Sequence, residues 1–264
     1  MWDAHKSDPW ARLYFAPDPP GAVSRETLER LRRMVDQLDA PVAMRVHDHA
    51  GQLRTFEAEH AQRPLPWLAS LGFHAFVLAH RFPCASFGSQ APVDDAIEAM
   101  RQIRARAAEF GVDPRGIGVC GLSSGGHLAA CLVRQRVGAD SRPDFLIVGY
   151  APISTNATGR TVIPDKPALP PPEKQALYEA MQPDAQLIDN PPPVFIVYAA
   201  NDAVVPVQNA YRLHRAWIDK GGKAELHVFA DAPHGFALRE KTLPVGKWPE
   251  LCAAWLKAGQ ASGV

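Results

Sequence analysis

The chain has 264 residues with 28 basic and 28 acidic side chains, so its formal net charge is zero. This balance argues against a nucleic-acid partner, which normally calls for a basic excess. No apolar run approaches the ~20 residues that cross a bilayer, and the first residues lack the apolar core of a secretory signal. We therefore expect no membrane association.

The four cysteines are widely spaced and are interpreted as reduced thiols, which favours a cytoplasmic location. They are Cys84, Cys120, Cys131 and Cys252.

From about residue 41 onward, short β-forming runs alternate with helical patterns. This order is typical of an α/β protein in which helices flank a mainly parallel sheet. At this length one large core can form without disulfides or metals, so we predict a single domain over residues 1–264. The predicted strands lie at 42–46, 72–79, 116–120, 145–150, 194–200 and 224–229, and the predicted helices at 24–38, 92–110, 125–133, 206–220 and 248–257.

Residues 154–193 interrupt this alternation with a proline cluster and a short helical pattern at 173–181. An insertion between two strands at the carboxyl edge of a sheet is well placed to cap a pocket, although it could also be a surface connection. Leu177, Tyr178 and Met181 could line an acyl pocket under such a cap. Packing of the cap itself explains these three residues equally well.

The strongest motif is Gly121-Leu122-Ser123-Ser124-Gly125, which matches G-x-S-x-G. It follows a predicted strand and precedes a predicted helix, which is the context of a nucleophile elbow. The sharp turn strains the serine backbone, so the positions two residues away on either side must lack bulk. The sequence therefore predicts that Ser123 is a nucleophile, rather than an ordinary turn serine.

A serine nucleophile needs a base and an acid that orients the base. His234 lies in a loop between the last strand and the last helix, where its side chain can reach a cleft. His127, within a helix, is expected to pack or to form a hydrogen bond to a neighbouring loop, and His227, within a strand, is expected to be structural or exposed. Asp202 follows a strong strand and is the candidate acid, although it could instead cap a helix or form a turn. The order Ser123, Asp202, His234 is the one found in α/β-hydrolases.

Four segments carry a family resemblance: LAHRFP, GLSSGGHLAA, DAVVP and APHGF. Over about residues 68–258 the chain resembles the α/β-hydrolase superfamily, and within it the small bacterial acetylxylan-esterase and feruloyl-esterase-like enzymes. The resemblance implies an α/β-hydrolase fold and a serine esterase that uses neither a metal nor a cofactor. It also implies a small-molecule substrate, a short acyl ester, often of an acetylated sugar.

Acyl transfer also needs an oxyanion hole with two or more donors. The backbone N–H of Ser124, the residue after the nucleophile, is one candidate. Relatives supply the other from a glycine-rich HGGG or PGGG loop, but this chain has a single glycine in the corresponding segment, residues 47–51. If His49-Ala50-Gly51 replaces His-Gly-Gly, the hole includes Ala50 and Gly51. In the alternative, residues 47–49 occupy the Pro-Gly-Gly positions.

The sequence thus predicts a serine carboxylester hydrolase that acts through Ser123, His234 and Asp202. A peptidase or a lactonase on the same fold is an alternative, because the triad alone does not choose the acyl group. A non-catalytic small-molecule-binding homologue is another, and the unusual 47–51 segment is its support. His47 and His49 are not expected to bind a metal, because no further ligands accompany them.

Overall fold

The computed structural model describes residues 64–261, apart from residues 79, 161, 164 and 165. The helix predicted at 24–38, the strand predicted at 42–46, and Ala50 and Gly51 lie outside the described residues. The helices are α1 Pro64–Ser70, α2 Ala91–Ala105, α3 Ala107–Phe110, α4 Ser124–Cys131, α5 Pro172–Ala180, α6 Pro183–Gln186, α7 Gln208–Asp219 and α8 Trp248–Ala261. The strands are β1 Gly118–Leu122, β2 Phe145–Gly149, β3 Val194–Ala199 and β4 Ala224–Phe229, and short 3₁₀ turns lie at Ala139–Ser141 and Pro244–Lys247.

The four described strands form one parallel sheet in the order β1-β2-β3-β4. Its strands confirm the four runs predicted from residue 116 onward, with β1 ending two residues later than expected. Because every strand is parallel, all four carboxyl ends lie at the same edge of the sheet. Side chains in the loops that follow these strands can therefore meet there.

The strand predicted at 72–79 is wrong for the part that the structure describes. Residues 73–78 pair with none of the four strands of the described sheet. The segment is nevertheless packed: Leu78 is buried, and the ring of Phe73 lies 5.9 Å from that of Phe145. Its apolar residues therefore reflect contact with the core, since a strand also needs a hydrogen-bonded neighbour.

Helices cover both faces of the sheet. On one face, Val119 of β1 lines a small interior space together with Met100 of α2 and Leu128 of α4. On the other face, Trp255 of α8 contacts the ring of Phe195 in β3. Because helices cover both faces, every residue of β3 is buried, which explains its continuous apolar sequence.

The helix predicted at 92–110 is interrupted at Arg106, where φ is −104°, and is divided into α2 and α3. Gly111 then adopts a left-handed φ of 65° and ends α3, as expected of a helix C-terminal glycine. Within residues 64–261, no helix combines the length and apolar character needed to cross a bilayer.

The insertion at 154–193 contributes α5 and α6, and it packs against the helix that follows β1. The imidazole Nε2 of His127 in α4 lies 2.8 Å from the backbone oxygen of Met181, and its ring lies 4.4 Å from that of Tyr178. Leu177, Tyr178 and Met181 are all buried. These contacts favour cap packing as the role of the three side chains, and the closure of a pocket by the insertion stays a prediction.

Candidate active site

Ser123 lies between β1 and α4 in a backbone conformation that is rare for a residue with a side chain. Its φ and ψ are 55° and −128°. Its N–H donates to the oxygen of Gly149 in β2 at 2.8 Å. Its carbonyl accepts from the N–H of Gly126 at 2.9 Å and that of His127 at 3.2 Å. Bonds on both sides thus hold the strained turn, and the predicted strand–turn–helix setting is present.

The turn leaves no room for a side chain at Gly121. A Cβ atom there would lie 2.1 Å from the oxygen of Gly125 and 2.8 Å from the nitrogen of Gly126. Both atoms belong to the backbone of the first turn of α4, which cannot move aside as a flexible side chain could. The first glycine of the motif is therefore required by the close approach of two backbone segments.

The three predicted side chains meet at the carboxyl edge of the sheet. The hydroxyl of Ser123 lies 2.9 Å from Nε2 of His234, and Nδ1 of the same imidazole lies 2.7 Å from Oδ2 of Asp202. An ionised carboxylate only accepts hydrogen bonds, so Nδ1 carries the proton. In the neutral ring Nε2 then has its lone pair directed at Ser123, as a general base requires.

Asp202 uses its two carboxylate oxygens for different purposes. Oδ1 accepts the backbone N–H groups of Val204 and Val205, each at 2.9 Å, and Oδ2 accepts from His234. The side chain is 0 % exposed. The turn role and the pairing with histidine were alternatives from the sequence, and the structure shows both in one residue. The turn bonds fix the carboxylate, so Oδ2 presents a stationary acceptor to the imidazole.

Two residues outside the sequence-based predictions hold the loop that carries His234. Asn201 accepts the N–H of Ala232 at 3.0 Å through its side-chain oxygen. Tyr150, which directly follows β2, places its ring 5.2 Å from the imidazole of His234. Its position in the sequence could have indicated Tyr150. It directly follows β2, as Ser123 directly follows β1, so both residues lie at the carboxyl edge of the sheet.

Ser124 is the first residue of α4, so its backbone N–H lies at the helix N-terminus, where the helix dipole favours negative charge. Its position fits the predicted oxyanion donor. The proposed partners Ala50 and Gly51 lie outside the described residues. In the part of the chain that the structure describes, no three His, Cys, Asp or Glu side chains are grouped as a metal site requires.

The other two histidines considered from the sequence have structural contacts. His127 is buried between α4 and the insertion. His227 in β4 stacks on the ring of Phe195 at 4.9 Å and pairs with Glu225 through Nε2 at 2.7 Å. His127 therefore packs as expected, His227 takes the structural role that was one of its two alternatives, and the imidazole of His234 is the one at the Ser123 hydroxyl.

This arrangement can move a proton from a hydroxyl to an imidazole and hold the resulting positive charge. The carboxylate of Asp202 lies at the far nitrogen of the ring, where it stabilises an imidazolium. The His234 side chain is 20 % exposed, so the ring is sheltered but can be reached from solvent. The site is therefore suited to nucleophilic attack by Ser123 on an electrophilic carbon.

Comparisons with known proteins identify the fold of the chain. A family profile described as the alpha/beta hydrolase fold matches residues 79–238, more than half of the chain. Among solved structures, the acetyl ester-xyloside bifunctional hydrolase from Caldicellulosiruptor lactoaceticus superposes with a TM-score of 0.62 and 29% identity, over 76% of this chain and 77% of that one. A thermophilic esterase from Thermogutta terrifontis gives a TM-score of 0.57 and 26% identity, over 74% of each chain.

Two curated proteins are also similar in sequence. Endo-1,4-beta-xylanase B of Butyrivibrio fibrisolvens is 27% identical over 184 residues, which are 63% of this chain and 28% of that protein. An acetylxylan esterase of Xylanibacter ruminicola is 27% identical over 182 residues, which are 64% of this chain and 36% of that protein. The chain thus spans about a third or less of the curated relatives that it matches.

Proposed function

The chain belongs to the alpha/beta hydrolase family, and from that premise we propose that it is a serine carboxylester hydrolase for short acyl esters. The observation that carries the proposal is the continuous chain of contacts from Ser123 through His234 to Asp202. Its support comes from chemistry: a serine at its ordinary pKa is a weak nucleophile, and these contacts supply the base and the orienting acid that activate it.

In the proposed reaction, Oγ of Ser123 bonds to the ester carbonyl carbon while its proton passes to Nε2 of His234. The tetrahedral intermediate collapses, the bond to the alcohol breaks, and the imidazolium returns the proton to the leaving oxygen. Water then attacks the acyl-enzyme in the same way, with His234 as base, and releases the acid and free Ser123. Asp202 keeps Nδ1 protonated throughout and stabilises the imidazolium in both halves of the reaction.

The oxyanion of each tetrahedral intermediate forms beside the N-terminus of α4. We assign the backbone N–H of Ser124 as one donor, with the helix dipole in support. Ala50 and Gly51 stay our candidates for the second donor. One missing donor typically lowers the rate by roughly 10²–10³-fold, so the second oxyanion donor has a large effect on kcat.

We propose acetylated carbohydrates as the substrate class. Support comes from two relatives, one named as an acetylxylan esterase and the other as an acetyl ester-xyloside hydrolase. An acetyl group needs little acyl space, which agrees with the packing of the insertion side chains: Leu177 and Met181 lie in the core, and Tyr178 packs on the ring of His127.

The test compares the wild-type chain with Ser123→Ala on nitrophenyl esters of increasing acyl length, on acetylated xylo-oligosaccharides, on lactones and on aminoacyl amides. We expect turnover of the acetyl esters and a loss of about 10⁴-fold or more in kcat for Ser123→Ala. Ser141→Ala is the matched control, because its hydroxyl bonds to Asp140 in the turn before β2, at the amino edge of the sheet and not at the carboxyl edge where Ser123 lies.

A phosphonate ester provides a second readout, because it should add one phosphonyl group to Ser123 in the wild type and none in Ser123→Ala. Activity of Ser123→Ala within tenfold of wild type would refute the nucleophile. Preferential cleavage of lactones or amides would replace the ester assignment, and binding without turnover or labelling would favour the non-catalytic alternative.

A further inference from the structure

Tyr150 occupies a conformation that a tyrosine rarely adopts. Its φ is 37°, in the left-handed region, although its side chain is large and only 2 % of the residue is exposed. Such strain persists only where the surrounding structure enforces it, and it is concentrated at functional sites. Glycine would fit this backbone without strain, so the presence of tyrosine suggests that its ring is needed.

The ring of Tyr150 contacts both the imidazole of His234 and the ring of Phe236. It meets the imidazole at 5.2 Å with an interplanar angle of 73° and Phe236 at 4.5 Å with an angle of 67°. Both are edge-to-face arrangements, which are favourable for aromatic pairs and define the relative orientation of the rings. Contact with the Tyr150 ring therefore limits how far the imidazole of His234 can tilt.

The phenol of Tyr150 lies close to the backbone of Ala237, three residues after His234. Ala237 itself has a left-handed φ of 39°, and its carbonyl accepts from the indole N–H of Trp248 at 2.6 Å. The histidine loop is thus held at its far end by a hydrogen bond from α8, next to the phenol of Tyr150. Burial raises the pKa of the Tyr150 phenol well above its usual range, so the phenol stays neutral and does not compete for protons.

We propose that Tyr150 is a positioning residue that holds the imidazole of His234 in line with Ser123 and Asp202. This inference rests on the proposed function. Two hydrogen bonds fix the ends of the imidazole, but they leave it free to tilt about the line that joins its two nitrogens. The edge-to-face contact of Tyr150 restricts that tilt, and the hydrogen bond from Trp248 to Ala237 keeps the loop backbone in place. Misplacement of a catalytic group by about 1 Å costs about 10²-fold in rate.

The test measures kcat and KM for nitrophenyl acetate in Tyr150→Leu, Tyr150→Phe and a packing control. We expect Tyr150→Leu to lower kcat about 10²-fold with KM unchanged, because ground-state binding does not need an aligned imidazole. Tyr150→Phe keeps the ring and should recover kcat to within about tenfold of wild type, because the edge-to-face contact with His234 is kept. Tyr150→Met, with a flexible side chain of similar length, replaces Tyr150→Leu if the latter does not fold.

Phe195→Leu is the matched control, because it also shortens a fully buried aromatic side chain on the same sheet. Phe195 contacts His227 and Trp255 near the start of β3, so its loss should lower thermal stability while kcat is kept. The inference is overturned if Tyr150→Leu or Tyr150→Met keeps kcat within about threefold of wild type, or if Phe195→Leu loses as much kcat as they do. Absence of Ser123-dependent hydrolysis in the wild type would instead overturn the proposed function, and this inference with it.

Discussion

The substitution Asp202→Asn tests the proton arrangement of the site with almost no change of shape. Oδ1 of Asp202 accepts two backbone N–H groups, from Val204 and Val205. In an asparagine this position must be filled by the carbonyl oxygen, because an NH₂ group there would face two donors. The amide NH₂ is then directed at Nδ1 of His234.

This forced orientation inverts the tautomer of the imidazole. Nδ1 must accept a hydrogen bond from the amide, so the proton moves to Nε2, which then points an N–H at Ser123 instead of a lone pair. Such a histidine cannot take the serine proton. The typical loss for this change in a Ser-His-Asp triad is about 10⁴ in kcat, which corresponds to about 5.5 kcal/mol of transition-state stabilisation.

The assay is steady-state hydrolysis of nitrophenyl acetate, together with the thermal midpoint of each variant. Asp184→Asn serves as the control, because Asp184 also has a buried side chain, 3 % exposed, and pairs with Arg160 in the insertion. We expect this control to lower stability but to keep kcat close to wild type. If Asp202→Asn retains kcat within tenfold of wild type, the assignment of Asp202 as the orienting acid is wrong.

Two further predictions follow from close packing and from burial. Gly121→Ala should lower kcat by about 10²-fold in the same ester assay, because its Cβ would lie 2.1 Å from the oxygen of Gly125 and displace the turn that carries Ser123. Gly116→Ala is the control: its Cβ would make only ordinary contacts at 3.8 Å, so this variant should match wild type. Equal activity in the two variants would contradict the close-packing argument. Burial raises the pKa of the thiols of Cys120 and Cys131 to about 12, above the ordinary value of 9.0. Above about pH 9 the unfolded chain releases these protons while the folded chain retains them, so urea unfolding near pH 10 should show a free energy lower by about 1 kcal/mol per thiol than near pH 7. Cys131→Ala should show a smaller decline in the free energy of unfolding between pH 7 and pH 10. If its decline equals that of wild type, burial of the Cys131 thiol is not the cause.

The sequence predicted the elements around the site because their local patterns are unambiguous. Residues 224–229 form β4 with the predicted bounds, and 145–149 and 194–199 form β2 and β3. These strands are short apolar runs between turn-forming residues, a pattern that needs little help from distant contacts. The run at 72–79 shows the limit, because burial alone gave it the same appearance without pairing to a described strand.

The sequence by itself determined the candidates: a serine between two glycines at a strand end, an aspartate after a later strand, and a histidine in the last loop. Only the tertiary structure decided that they meet, since the contact from Ser123 to His234 spans 111 positions and depends on the parallel register of four strands. It also decided that Tyr150 belongs beside them. A side chain held by edge-to-face packing leaves no motif in the sequence, because its role arises from the angle and distance between rings on separate strands and loops.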